Sequence, residues 1–162
     1  MSDEIRRILD ADWKAVAELE NLTYAAAGLS EDRAVLEARG RSAPETCFVL
    51  TQHGRTAAYV LALPWPAFRF PDLARHEQIT SWSANLHLHD LVVAPDLRGR
   101  GLAGKLLRHL TTVARDRDHD RVSLVAVGTS ASFWAANGFR PCAAVTVPTG
   151  YGTNAVYMSK PI

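Results

Sequence analysis

Two histidines and a glycine-arginine turn hold most of the chemistry that can be read from this sequence. Residues 86–110 run LHLHDLVVAPDLRGRGLAGKLLRHL. His87 and His89 are two apart, so on a regular strand both side chains share one face and Asp90 faces the other way, as a structural acceptor. An imidazole, with an ordinary pKa of about 6.5, takes and releases protons near neutral pH. An alkylammonium with pKa about 10.4 is neutral in roughly one molecule per thousand at pH 7, so an amine nucleophile needs such an acceptor. The pair could also bind a metal, but no third Cys, Asp or Glu stands at a familiar ligand spacing, and the expectation is no metal.

Just downstream, Arg98-Gly99-Arg100-Gly101-Leu102-Ala103-Gly104 separates an expected strand from an expected helix. The first N–H groups of a helix are unpaired and carry the positive end of its dipole. Glycine lets the backbone approach a ligand closely, and arginine adds charge-assisted bonds to phosphate oxygens. A pyrophosphate suits such a place. It is not a Walker loop, because no Gly-Lys-Ser/Thr follows at the required spacing. Nor is it a dinucleotide fingerprint, because residues including Pro95 intervene after the strand.

The elements that must position these groups follow from periodicity. An edge strand is expected at 5–9, then a helix capped by Asp10 or Asp12 with Trp13, Val16, Ala17 and Glu20 at helical spacing. A second helix starts at Ser30, Glu31 and Asp32 and stops at Gly40. Strands 47–52 and 56–63 form a hairpin through His53-Gly54-Arg55. Residues 64–85 form a long proline- and aromatic-rich connection, where Trp65, Phe68 and Phe70 either line a pocket or pin the loop to the body. After strand 86–93, Leu102, Leu106, Leu110, Val113 and Ala114 make one helical stripe. A strand at 122–127, a short helix through SASFWAA, and strands at 139–147 and 153–160 complete the chain.

With 162 residues, 48% hydrophobic and 22% charged, one domain spanning 1–162 is expected. The net charge of +1 is dispersed and names no nucleic-acid or membrane partner. Cys47 and Cys142 read as free thiols of a reducing compartment, and a cytoplasmic location is the expectation.

VVAPDLRGRGLAGKLL resembles the acetyl-coenzyme A binding motif of the GNAT superfamily of N-acetyltransferases, Arg/Gln-x-x-Gly-x-Gly/Ala, with Arg98, Gly101 and Ala103 in its places. SFWAANGF is similar to that family's Phe-Tyr-x-x-x-Gly-Phe segment, although Trp134 stands where the family has its general-acid Tyr. The resemblance implies an α/β (α+β) fold with a single mixed, mostly antiparallel sheet, flanked by about four helices and splayed between strands 86–93 and 122–127. It also implies acetyl-CoA as co-substrate. Its arm would lie against Leu91, Val92 and Val93, and its pyrophosphate against Arg98, Gly99, Arg100, Gly101, Leu102, Ala103, Gly104 and Lys105.

His-Leu-His followed by x-Leu-x-Val is similar to the serotonin (arylalkylamine) N-acetyltransferases, which implies His87 and His89 as acceptors of the amine proton. An indole cannot protonate a departing thiolate, so Tyr151, Tyr157 or water would have to replace the missing acid. The expected activity is acetyl transfer to a small primary amine, aralkylamine or polyamine-like, by direct attack on the thioester. Neither Cys adjoins a base that would support a covalent route. Acetylation of a protein or peptide N-terminus and a non-catalytic acetyl-CoA-binding regulatory domain are the alternatives, with a homodimer as a further candidate assembly.

Overall fold

In the computed structural model, which describes residues 3–70, 82–152 and 154–162, the chain builds one seven-stranded sheet. In chain order the elements are β1 (Glu4–Arg7), α1 (Trp13–Tyr24), α2 (Arg33–Ser42), β2 (Cys47–Gln52), β3 (Arg55–Pro64), β4 (Asn85–Val93), α3 (Leu102–Asp116), β5 (Arg121–Ala126), α4 (Ala131–Ala136), β6 (Arg140–Pro141) and β7 (Val156–Pro161). The sheet order is β1-β2-β3-β4-β5-β7-β6. Among the described residues only β4 and β5 pair in parallel, because α3 lies between them in sequence and carries the chain back across the sheet. The mixed, mostly antiparallel sheet with four helices among the described residues is the architecture expected from the sequence.

The helices form where one apolar face can be buried. α1 hides Trp13, Val16 and Leu19, and α3 hides Leu102, Leu106, Leu107, Leu110 and Ala114. β3 is buried from Ala57 through Leu63, as a central strand covered on both faces must be. Among the described residues no helix is long and apolar enough to cross a membrane.

Four local expectations need correction. Asp12 is the N-cap residue of α1, but its carboxylate instead pairs with Arg6 Nη1 at 2.6 Å and accepts the Leu9 N–H at 2.7 Å. Gly40 does not end α2; it lies inside the helix, where an added Cβ would sit 2.2 Å from the Trp13 ring. The glycine is there for close packing. The expected strand at 139–147 shortens to Arg140–Pro141: the Cys142 N–H still bonds the Tyr157 carbonyl at 3.0 Å, and the chain then turns away. The last strand begins at Val156, not 153, and Thr153 lies outside the described residues.

The aromatic start of the long connection pins the loop. Phe68 donates its N–H to Tyr157 Oη at 2.8 Å, and the Phe70 ring meets Tyr151 edge-on with centroids 5.4 Å apart. Residues 71–81, the middle of the expected pocket wall, lie outside the described residues.

Gly40→Ala gives a direct test of the packing. Alanine favours a helix over glycine by up to about 1 kcal/mol. Overpacking against a buried ring costs about 1–3 kcal/mol. Since Trp13 has no room to retreat, urea denaturation is expected to show a net loss of about 1–2 kcal/mol.

Candidate active site

Three residue pairs join β4 to β5: Asn85 with Arg121, Leu86 with Val122 and His87 with Ser123. Beyond them the strands part. Ser123 pins the fork, since its Oγ accepts from Asn85 Nδ2 at 2.8 Å and lies 2.9 Å from His87 Nδ1. The same Asn85 amide donates to the Trp65 carbonyl at 2.9 Å, which ties the end of β3 into the junction.

The parting opens a cleft of about 680 Å³. Leu91, Val92 and Val93 form one wall, and Leu124, Val125 and Val127 the other. Arg98, Gly99, Gly101, Leu102, Ala103 and Gly104 close one end. Gly99 and Gly101 have φ of +79° and +81°, the left-handed region, and an added Cβ at either would meet nothing within 4 Å. They are glycines for backbone conformation and not for want of space. The first bond of α3 runs from Lys105 N–H to the Gly101 carbonyl at 3.1 Å, so the N–H groups of Leu102, Ala103 and Gly104 precede the helix's own ladder. These donors at a helix start suit a pyrophosphate, and the long apolar-walled cleft suits the pantetheine arm of acetyl-CoA.

Two expected contacts lie off this wall. Arg100 is exposed, and Lys105 Nζ pairs with Asp3. Arg98 does reach the cleft, and its Nε bonds the Val93 carbonyl at 3.2 Å.

A narrow pocket of about 60 Å³ adjoins the cleft. Tyr24, Leu29, His89, Asp90, Val125 and Val127 line both spaces. His87, Glu20, Glu31 and Tyr151 complete the small one. The histidines do line one pocket, but not because β4 is regular. The register against β3 shifts between Leu61, opposite Asp90, and Ala62, opposite Leu88, which leaves His89 as the extra residue of a bulge. The bulge turns Asp90 toward the same pocket, so the expectation that it faces the other way is corrected.

Each histidine has its own surroundings. His87 is buried against Ser123 with its ring stacked on Tyr157, and burial, aided by the nearby His89 and Arg39, pulls its pKa down to about 3. It is therefore neutral at physiological pH. His89 Nε2 lies 2.9 Å from both Glu31 Oε1 and Arg39 Nη1. Burial lowers its pKa, the Glu31 carboxylate raises it, and the Arg39 charge lowers it again.

The carboxyls differ just as much. Burial pushes Glu31 up, but hydrogen bonds and charge from His89 and Arg39 outweigh it and leave Glu31 at about 2. Among the described residues Asp90 has no cation as a direct partner. It accepts from Tyr24 Oη at 2.8 Å and from Tyr59 Oη, and burial carries it up to about 7 despite those bonds. Glu20, also raised by burial, accepts from Ser30 Oγ and from the Glu31 N–H at 2.7 Å.

Sequence reasoning missed Glu20, Tyr24 and Glu31 as pocket residues. Glu31 does not lie in the first turn of α2, which starts at Arg33. Trp134 lines the cleft and packs edge-on against Phe139, with centroids 5.4 Å apart. Of the expected substitutes for its missing hydroxyl, Tyr151 borders the small pocket, whereas Tyr157 Oη is taken by Phe68. Among the described residues, no three His, Cys, Asp or Glu side chains are grouped as a metal site.

Comparison with known proteins agrees with this geometry. The structure is similar to Ard1 from Thermoplasma volcanium, with 18% identity, a TM-score of 0.77, and coverage of 100% of this chain and 99% of that one. It is similar to the ribosomal-protein-S18-alanine N-acetyltransferase from Escherichia coli, at 21% identity and TM-score 0.72, over 99% of this chain and 94% of that one. The PaiA N-acetyltransferase from Thermoplasma acidophilum in complex with coenzyme A matches over 100% of both chains, at 15% identity and TM-score 0.68. A search of curated protein sequences returns no match. The model of the acetyltransferase (GNAT) family matches residues 13–139, and by that match the chain belongs to the GNAT family and is an acetyl-CoA-dependent N-acetyltransferase.

Proposed function

We propose that the acceptor is a small primary amine, aralkylamine or polyamine-like, which enters the narrow pocket and attacks the thioester directly. The observation that carries this reading is the pocket itself. It is small, it adjoins the cleft at His89 and Asp90, and it sets the carboxylates of Glu20, Glu31 and Asp90 around an opening with apolar walls at Leu29, Val125 and Val127. An ammonium group is drawn to such a lining, and an apolar body fits the walls. The likeness to serotonin N-acetyltransferases in the His-Leu-His strand points to the same class.

In this reading acetyl-CoA supplies an activated acetyl group when bound, and the protein's residues do the rest. Backbone groups of Leu91, Val92 and Val93 align the arm, and a backbone N–H near Leu91 polarises the thioester carbonyl. The turn from Arg98 through Gly104 holds the pyrophosphate, with Arg100 and Lys105 adding charge nearby. His87 and His89 serve the amine proton in different ways. His87, neutral throughout, hydrogen-bonds in the pocket wall; His89 accepts the proton, directly or through water. Tyr24 and Tyr151 line the small pocket and are the hydroxyls on offer in place of the absent Tyr at 134. Acetylation of a peptide N-terminus is the second reading, favoured by the likeness to an S18-alanine N-acetyltransferase.

A panel assay of thiol release from acetyl-CoA tests the class. Phenethylamine and spermidine are expected to turn over well ahead of peptides, and the reverse order would move the assignment to peptide N-termini. The His87→Gln/His89→Gln double variant is expected to lose about 10²-fold or more in kcat at pH 7. A rate within threefold of the parent would remove the histidines from the proton path. Gly101→Val forces a β-branched residue to φ +81° and is expected to weaken acetyl-CoA at least tenfold by calorimetry, leaving amine affinity unchanged.

A further inference from the structure

The connection between α1 and α2 delivers a carboxylate to the imidazole that receives the amine proton. Glu31 Oε1 lies 2.9 Å from His89 Nε2, across 58 residues of sequence. Arg39 Nη1 bonds both oxygens of the same carboxylate, at 2.6 and 2.7 Å. A guanidinium Nη carries two hydrogens and accepts none; one is shared by the two close carboxylate oxygens, and Nη1 also lies 2.9 Å from His89 Nε2. As an acceptor from Arg39, Nε2 would hold its lone pair 2.9 Å from the Glu31 anion, whereas as a donor it meets that anion with a hydrogen. We propose that Glu31 is a positioning residue: it takes the Nε2–H of His89, fixes that tautomer and ring orientation, and leaves Nδ1 as the basic nitrogen of the acceptor pocket. This inference rests on the reading of His89 as proton acceptor.

Atoms and protons balance across the transfer. A bound ammonium gives one proton to His89 Nδ1, while the Nε2–H stays bonded to Glu31. The neutral nitrogen attacks the thioester carbon, the C–N bond forms and the C–S bond breaks, and the second amine proton goes to the departing thiolate to give the CoA thiol. His89 returns its proton to solvent as the amide product leaves. Glu31 stays ionised throughout and stabilises the imidazolium, as a buried carboxylate does for the imidazole of a catalytic triad. Arg39, wholly buried, keeps Glu31 charged where burial alone would protonate it.

The charged and titratable groups around His89 are Glu31 and Arg39 from the α2 side, Glu20 and Tyr24 from α1, and His87 and Asp90 from β4. They set the sign of the pH effect. Glu31 raises the pKa of His89, while burial and Arg39 lower it. Neutralising Glu31 therefore moves the imidazole further down. The acid limb of kcat shifts to lower pH, and the plateau falls because the base is weaker and less well held.

The experiment compares wild type with Glu31→Gln and Glu31→Asp, using kcat against pH at saturating acetyl-CoA with phenethylamine and with spermidine. Glu31→Gln is expected to lose about ten- to a hundredfold in plateau kcat with its limb at lower pH, and an acetyl-CoA Kd within twofold of wild type. Glu31→Asp, which keeps the charge, recovers part of the rate and returns the limb toward its original position. A folded Glu31→Gln enzyme whose limb does not move overturns the proposal, whatever its rate, since loss of packing alone does not retune His89. The tautomer is read without any substitution by ¹⁵N NMR of the wild-type imidazoles. Protonation of His89 at Nε2 supports the assignment, and protonation at Nδ1 overturns it even where the Gln variant fails to fold. Failure of the amine reading looks different: wild type then turns over neither amine, while the tautomer is unaffected.

Discussion

Everything in the cleft depends on β4 and β5 pairing over three residues and no further. A fully zipped parallel pair would place side chains in the cofactor's space. Separate strands would leave α3 and the turn before it with nothing to be positioned against. The fork is held by one small polar knot of Asn85, Ser123 and His87, each buried, in which Asn85 Nδ2 and His87 Nδ1 both meet Ser123 Oγ. The rest of the sheet stays paired on either side, β4 to β3 and β5 to β7, so the gap stands between two rigid ladders.

Within the small pocket the protonation states are decided by one contrast. Asp90 and Glu31 are both buried carboxyls, and burial pushes both upward. Asp90 receives two phenolic hydrogen bonds and still ends near 7, whereas Glu31 receives His89 and a guanidinium and ends near 2. Neutral donors soften the cost of burial, but a full charge at contact distance reverses it. The site thus keeps a fixed anion and a titrating acid on the lining of one pocket, the arrangement by which one environment separates the roles of like groups.

The cofactor half of the site was legible because it is local. Strand, turn and helix succeed one another from residue 86 to 116, and each glycine and arginine acts within a few residues of where it stands. The acceptor half depends on distant pairs, Tyr24 with Asp90 across 66 residues and Glu31 with His89 across 58. Glu31 carried the composition of a helix start, and no periodicity betrays a contact that only the folded sheet makes. Asp90 was misplaced for a different reason. A period-two reading has no means of seeing a bulge, and one extra residue changes the facing of its successors on the strand. Gly40 shows the same limit on a helix, since the usual stop signal marks here the place where Trp13 must approach. The strand expected at 139–147 failed just after Cys142, where the chain turns away from β7.

Of the acceptor walls that are not part of the sheet, Glu20, Tyr24, Leu29 and Glu31 come from one continuous dozen residues between the middle of α1 and the start of α2, while Val127 follows β5 and Tyr151 precedes β7. The cradle for the pyrophosphate draws on none of them. Substitution at Glu20 or Glu31, which border the small pocket and not the cleft, can redraw what enters it without touching the cofactor's walls, whereas Tyr24 and Leu29 line both. Selectivity and the hold on the pyrophosphate are therefore written in separate paragraphs of the chain, and a lineage can revise one while leaving the other in force.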